Sequence, residues 1–137
     1  MPAELIVDAS VAAKFYFHEE GSREAQAILT SGLVLAAPDL LWIELASVAA
    51  KRTRRGLSTR EHGRDAVASL GDLIDEFVPA TGLAAPAFAL AADAGYSAYD
   101  ATYLALARQR GLRLLTADQR LIRQAEAAGM RDLVQSL

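Results

Sequence analysis

Short apolar runs of strand length alternate along this chain with longer segments of helical period, and that alternation limits the possible folds more than any other feature. Glu4 to Asp8 reads ELIVD, a β-branched apolar run of the length expected for a strand buried on both faces. Ser10 opens a helical segment through Phe17, and Ser22 is placed to cap another reaching about Thr30. Leu33 to Ala37 gives a second strand, closed by Pro38. A long helix follows from about Leu40 to Arg55, with Leu41, Leu45, Val48 and Ala49 on one face and Gly56 as its stop. Ser58 and Glu61 form a capping-box pattern for a helix ending near Asp75, and Phe77 with Val78 marks a brief third strand. Leu83 to Ala94 and Ala98 to Arg110 read as Ala-rich helices separated by Gly95, the second ending at Gly111. Arg113 to Thr116 supplies a fourth strand, Asp118 to Ala128 the last helix, and Asp132 to Val134 a short final strand.

Strands separated by helices imply parallel pairing, because parallel neighbours need crossover connections and those crossovers are right-handed. The expected architecture is a three-layer α/β/α fold with a central parallel sheet. Its 137 residues, 53% of them hydrophobic, suit a single domain spanning residues 1–137. In open sheets of this kind ligands bind in a crevice outside the carboxyl ends of the strands, and Asp8 and Asp118 fall at two such ends.

Four carboxylates, Asp8, Glu44, Asp100 and Asp118, sit in or at the edge of otherwise apolar stretches, where an uncompensated acid is costly. Each also has an ordinary structural use. Asp8 could satisfy free N–H groups of the following helix, although Ser10 is already available as a cap. Glu44, inside LLWIELASVAA, lies at the border of the apolar stripe and could simply reach solvent. Asp100 follows Ser97 by three residues as a capping box would require, and Asp118 could be a plain N-cap. Taken together the four favour a shared cation. Two unit charges about 4 Å apart at an effective dielectric near 20 repel by about 4 kcal/mol, so a pocket of three or four acids needs a divalent ion or must protonate. Oxygen ligands without His or Cys select Mg²⁺ or Mn²⁺. Such ions can polarise a phosphodiester and activate water, so no Ser, His or Cys nucleophile is required and the expected chemistry is that of a metal-dependent nuclease.

Other residues take lesser parts in this reading. Ser10 and Thr116 flank the expected site and could orient a ligand water or a carboxylate, or serve as caps. Lys51, Arg52, Arg54 and Arg55 in KRTRRG could hold phosphates, or simply form a solvated helix end with favourable C-terminal cations. His18 and His62 read as surface residues, Tyr99, Tyr103 and Phe88 as core, and Trp42 as core or partner-facing. The net charge of −3 provides no global basic field, so any grip on nucleic acid must come from local patches. The chain has no cysteine, which removes disulfides and thiolate chemistry and agrees with a reducing compartment such as the cytoplasm. MPAELIVD shows no basic segment before a long apolar region, and no run approaches about 18 apolar residues, so neither export nor a membrane span is expected.

The ordered motifs resemble the PIN domain, and within it the VapC-type toxins of bacterial toxin–antitoxin pairs. IVDAS is similar to the family's opening acid motif and carries its first acid onto Asp8. WIELASVAAKRTRRG carries the second onto Glu44, SAYDATYLALARQRG the third onto Asp100, and LLTADQRL the fourth onto Asp118. The resemblance covers nearly the whole chain and implies a Mg²⁺- or Mn²⁺-dependent endoribonuclease that forms homodimers and is silenced by a cognate VapB-type antitoxin. Some relatives carry a further acid shortly after the fourth, where this chain has Gln119 and Arg120. Two rival readings compete with the enzyme. A phosphoacceptor signalling domain would want paired acids after the first strand and a Lys at a late strand end, which are missing here. A non-catalytic PIN-like interaction or RNA-binding module would keep the scaffold without the activity.

Overall fold

The computed structural model describes residues 3–137, so Met1 and Pro2 at the head of the expected 1–137 span lie outside the described residues. Twelve principal elements follow in the order β1 (Glu4–Val7), α1 (Ala9–Tyr16), α2 (Ser22–Leu29), β2 (Val34–Pro38), α3 (Leu40–Arg54) and α4 (Arg60–Leu73), then β3 (Glu76–Val78), α5 (Ala84–Ala94), α6 (Ala98–Arg110), β4 (Leu114–Thr116), α7 (Gln119–Ala127) and β5 (Val134–Ser136). The strands form one parallel sheet in the order β3-β2-β1-β4-β5. This is the expected α/β/α fold with a central parallel sheet.

Alternation of side chains along the strands divides the interior into two cores. Leu5 and Val7 of β1, with Leu35, Ala37 and Leu115, pack against α1 to α4. Ile6, Ala36, Leu114 and Val134 face the opposite way, onto α5, α6 and α7. The chain therefore builds outward from β1 through β2 to β3 with helices on one face, returns to the other side of β1, and builds outward again with helices on the second face. Right-handed crossovers in opposite directions require this change of face. The reversal lies between β1 and β4, the point at which open sheets of this kind form a crevice at the carboxyl ends of the strands.

Helix α6 is the largest single contributor to the second core. Ala101 to Ala107 are all buried, which explains why the segment reads as apolar all round rather than as a stripe. Gly95 and Gly111 bound it in left-handed backbone, φ +74° and +64°, a conformation that glycine adopts without steric cost. Trp42 resolves toward the first core, tilted against Phe77 at 5.1 Å between ring centroids.

Several local expectations are corrected. The helix after Ser58 is capped by Thr59, whose hydroxyl accepts the His62 N–H, while Ser58 accepts from the Arg52 guanidinium; the cap falls to the residue with extended backbone. Gly21, in left-handed backbone, precedes α2, and Ser22 instead donates to the Phe17 carbonyl and accepts from the Glu19 N–H. The last strand starts at Val134, because Arg131 to Leu133 close a 3₁₀ turn that delays pairing with β4. Phe88 and Tyr99, expected in the core, are 72% and 62% exposed; only Tyr103 of that trio is buried. Among the described residues no helix is long and apolar enough to cross a membrane.

Leu45 is fully enclosed in the first core. Leu45→Ala is expected to lower unfolding free energy by about 2–5 kcal/mol, the cost of lost burial plus a residual cavity, read by urea denaturation.

Candidate active site at the carboxyl rim of the sheet

Asp8 is the first residue after β1, and its backbone is extended where α1 is about to begin. Its carboxylate is nearly enclosed, at 7% exposure, and accepts three hydrogen bonds. Ser10 Oγ donates at 2.5 Å and the Val11 N–H at 3.2 Å to Oδ1, and Thr116 Oγ1 donates at 2.5 Å to Oδ2. Asp8 is thus itself the N-cap of α1, and Ser10, considered for that role from the sequence, turns inward. The two hydroxyls also accept backbone N–H groups from the turn after β4, Ala117 to Ser10 Oγ at 2.9 Å and Asp118 to Thr116 Oγ1 at 3.0 Å. Ser10 and Thr116 therefore fasten the ends of β1 and β4 around one carboxylate.

Asp118 follows that turn and caps α7, accepting the N–H groups of Arg120 at 2.9 Å and Leu121 at 3.2 Å. Asp100 lies in the first turn of α6. Its N–H donates to Ser97 Oγ at 3.1 Å, but its carboxylate turns away from the cap and accepts from Arg120 Nη2 at 2.9 Å. Capping explains where the Asp118 carboxylate sits, and only the backbone half of the Asp100 box.

Glu44 enters from the other helical layer, on the second turn of α3. Tyr103 Oη, one turn beyond Asp100 on α6, donates to Glu44 Oε1 at 2.5 Å and joins the two layers across the rim. Burial pushes the Glu44 carboxyl up from its ordinary range; the Tyr103 hydroxyl partly offsets this, and the nearby Asp8 and Asp100 charges push it further. Asp8 is likewise raised by burial, opposed by Ser10, Thr116 and Val11 and reinforced by Asp118. The Tyr103 hydroxyl is raised by burial and by the same acids, so it stays a donor. These mutual influences show that all four carboxylates share one electrostatic neighbourhood.

They do not converge as a closed cage. Among the described residues no three acidic or imidazole side chains come close enough together to hold a metal ion as they stand. Each acid has taken a protein donor instead: hydroxyls at Asp8 and Glu44, and the Arg120 guanidinium at Asp100 and Asp118. The donor set is nonetheless all oxygen and all anionic, which is the chemistry a hard divalent cation requires, and one organic cation already bridges two members.

The basic cluster lies apart from the acids. Arg52 is 4.7 Å above the Phe17 ring, pairs with Glu19 at 3.3 Å and donates to Ser58, so it is committed to packing. Lys51, Arg54 and Arg55 are exposed near the C-terminal end of α3, about two turns or more from Glu44. His18 and His62 are exposed, His62 lying edge-on to Phe17. Sequence reasoning missed two participants. Tyr103 lies in the core as expected, but its hydroxyl also reaches Glu44, and its position three residues after Asp100 puts both on one helical face; Arg120 enters the sequence reading only for the acid it replaces.

Comparison with known proteins fits this geometry. The PIN domain profile matches residues 5–127. The chain belongs to the PIN-domain family. Within it the resemblance is to VapC-type proteins: it is 34% identical over 120 residues to Ribonuclease VapC3 of Pyrobaculum aerophilum, covering 86% of this chain and 92% of that one. The solved structure of VapC20 from Mycobacterium tuberculosis, described as a sarcin-ricin loop cleaving toxin, superposes with a TM-score of 0.68 at 20% identity, over 91% of this chain and 95% of the other. VapBC2 from Rickettsia felis, bound to a DNA fragment of its promoter, gives 0.66 at 12% identity over 98% of both chains. At those identities the two structures speak to the fold of this PIN domain alone.

Two measurements probe the rim. Thr116→Val removes a donor to buried Asp8 and an acceptor for the Asp118 N–H, and should cost about 1–3 kcal/mol in chemical denaturation. Glu44, raised in the folded state, adds most to stability where it is protonated in both states. That contribution is lost as pH climbs from the ordinary Glu range, about 4.3, through the raised folded value. In chelator, Glu44→Gln should therefore remove part of the fall in melting temperature above about pH 4; identical pH profiles would contradict the assignment.

Proposed function

We propose that this protein is a Mg²⁺- or Mn²⁺-dependent endoribonuclease that hydrolyses RNA phosphodiester bonds as the toxin of a toxin–antitoxin pair. The feature that carries the reading is that Asp8, Glu44, Asp100 and Asp118, from four separate segments, lie within reach of one another's charge around the carboxyl rim of a PIN-domain sheet. Membership of the family and likeness to a protein named as a ribonuclease support it. Asp8, Asp100 and Asp118 would hold the cation, with Glu44 completing the set. When bound, the ion supplies Lewis-acid polarisation of the phosphodiester and activation of a water.

The protein's own groups have distinct tasks in this reading. Ser10 and Thr116 hold Asp8 in one orientation, so that the carboxylate need not reorganise when its charge is used. Tyr103 keeps Glu44 aimed at the rim. Glu44, whose carboxyl is raised by burial and by its acidic neighbours, is suited to taking a proton from the attacking water. Exposed Lys51, Arg54 and Arg55 offer charge to an RNA strand running along α3, with Arg52 contributing only its outer edge. The protein would act in the cytoplasm as a homodimer, with a VapB-type antitoxin as its inhibitor; a chain of the VapBC2 assembly shares the fold.

The second reading is a PIN-like module that binds without cleaving, since the fold alone does not establish activity. Incubation of purified protein with cellular RNA in Mn²⁺, Mg²⁺ or EDTA separates the two. Metal-dependent cleavage should fall about a hundredfold or more in Asp8→Asn and Asp100→Asn, since several kcal/mol of transition-state stabilisation are at stake. The same substitutions should relieve growth arrest on expression. Cleavage that is equal in wild type and variants would come from a contaminating nuclease and leave the non-cleaving module.

A further inference from the structure

Among the described residues, Arg120 is the one cation paired with the acidic rim. Its Nη2 lies 2.9 Å from Asp100 Oδ2 and 3.3 Å from Asp118 Oδ2, and among the described residues no other Lys or Arg pairs with any of the four acids. The remaining two acids are held by neutral hydroxyls, which orient a carboxylate without cancelling its charge. The Arg120 side chain is 55% exposed, against 19% for Asp100 and 32% for Asp118. It therefore covers carboxylates more buried than itself and can swing into solvent without emptying any part of the core. Its other guanidinium nitrogen reaches Gln124 Oε1 only at 3.4 Å, a weak tether on the same helix.

We propose that Arg120 is a resident counter-cation: it holds Asp100 and Asp118 until a divalent ion displaces it, and so weakens the affinity of this protein for its metal. This rests on the metal reading above. Exchange is favoured by charge density, since a divalent ion concentrates on carboxylate oxygens what a guanidinium spreads over a plane. It is opposed by the ion pairs that must break and by the residual positive charge left nearby. Both opposing effects vanish when the guanidinium is removed, so the substitution has a defined sign. A purely structural arginine would have the opposite one, because its loss would loosen the rim and weaken binding.

The test uses the full chain, Mn²⁺ alone and no RNA. Isothermal titration should show Arg120→Gln binding Mn²⁺ about three- to tenfold more tightly than wild type, the size expected for two partly exposed ion pairs. Arg123→Gln, the same charge change one turn along α7, should leave the affinity near wild type. In chelator Arg120→Gln should melt below wild type, with Asp100 and Asp118 left facing each other, and saturating Mn²⁺ should close that gap. Equal or weaker binding by Arg120→Gln, equal tightening by Arg123→Gln, or a melting gap unchanged by Mn²⁺ would overturn the proposal while the metal reading stands. If neither wild type nor Arg120→Gln binds Mn²⁺ at millimolar concentration, both readings fall together.

Discussion

A carboxylate removed from water at the end of the central strand is the constraint around which this molecule is arranged. Asp8 follows three fully or nearly fully buried residues of β1 and is itself almost enclosed. Burying an ionised group without partners is prohibitive, so the surrounding chain supplies a hydroxyl from its own helix, a hydroxyl from β4 and a backbone N–H. The same two hydroxyls accept N–H groups from the β4–α7 turn. Satisfying one acid thus fixes the relative position of β1, β4, α1 and α7, and the crevice at the switch point is a consequence.

The rim is held from the second side by α6. Its buried face belongs to one core, yet Tyr103 reaches over the end of the sheet to Glu44 on α3, which belongs to the other. Burial and the acids beside it push the Tyr103 hydroxyl up from its ordinary range, which keeps it the donor in this contact. Acidic groups from both helical layers are consequently set against each other by covalent and packing geometry that is established well away from the rim. Their repulsion is tolerated because the core holds them there. Arg120 offsets part of that repulsion at Asp100 and Asp118.

Much of this was legible in residue order. The alternation of strand and helix patterns gave the layer architecture, and β1, β2 and α6 fall within a residue or so of where apolar runs and glycine stops place them. Misreadings occurred where one hydroxyl or acid had two possible partners. Ser10, Ser22 and Ser58 each look like caps in sequence; Ser10 and Ser58 yield the cap to Asp8 and Thr59, whose backbone is extended, while Ser22 falls inside α2 behind Gly21, which has no side chain to cap with. Phe88 and Tyr99 show the complementary error: apolar character sets a tendency to burial, but which side of a nearly all-apolar helix faces outward depends on what packs against it.

The sequence by itself determined the strand and helix order, the parallel sheet and the four acids that could matter, because periodicity and side-chain chemistry are local properties of the chain. The tertiary structure alone decided that Asp8 is clasped by Thr116 from 108 positions away, that Tyr103 rather than solvent meets Glu44, and that Arg120 lies across Asp100 and Asp118. Those pairings depend on how crossovers return the chain to the middle of the sheet, and no spacing along the chain encodes a distance through space.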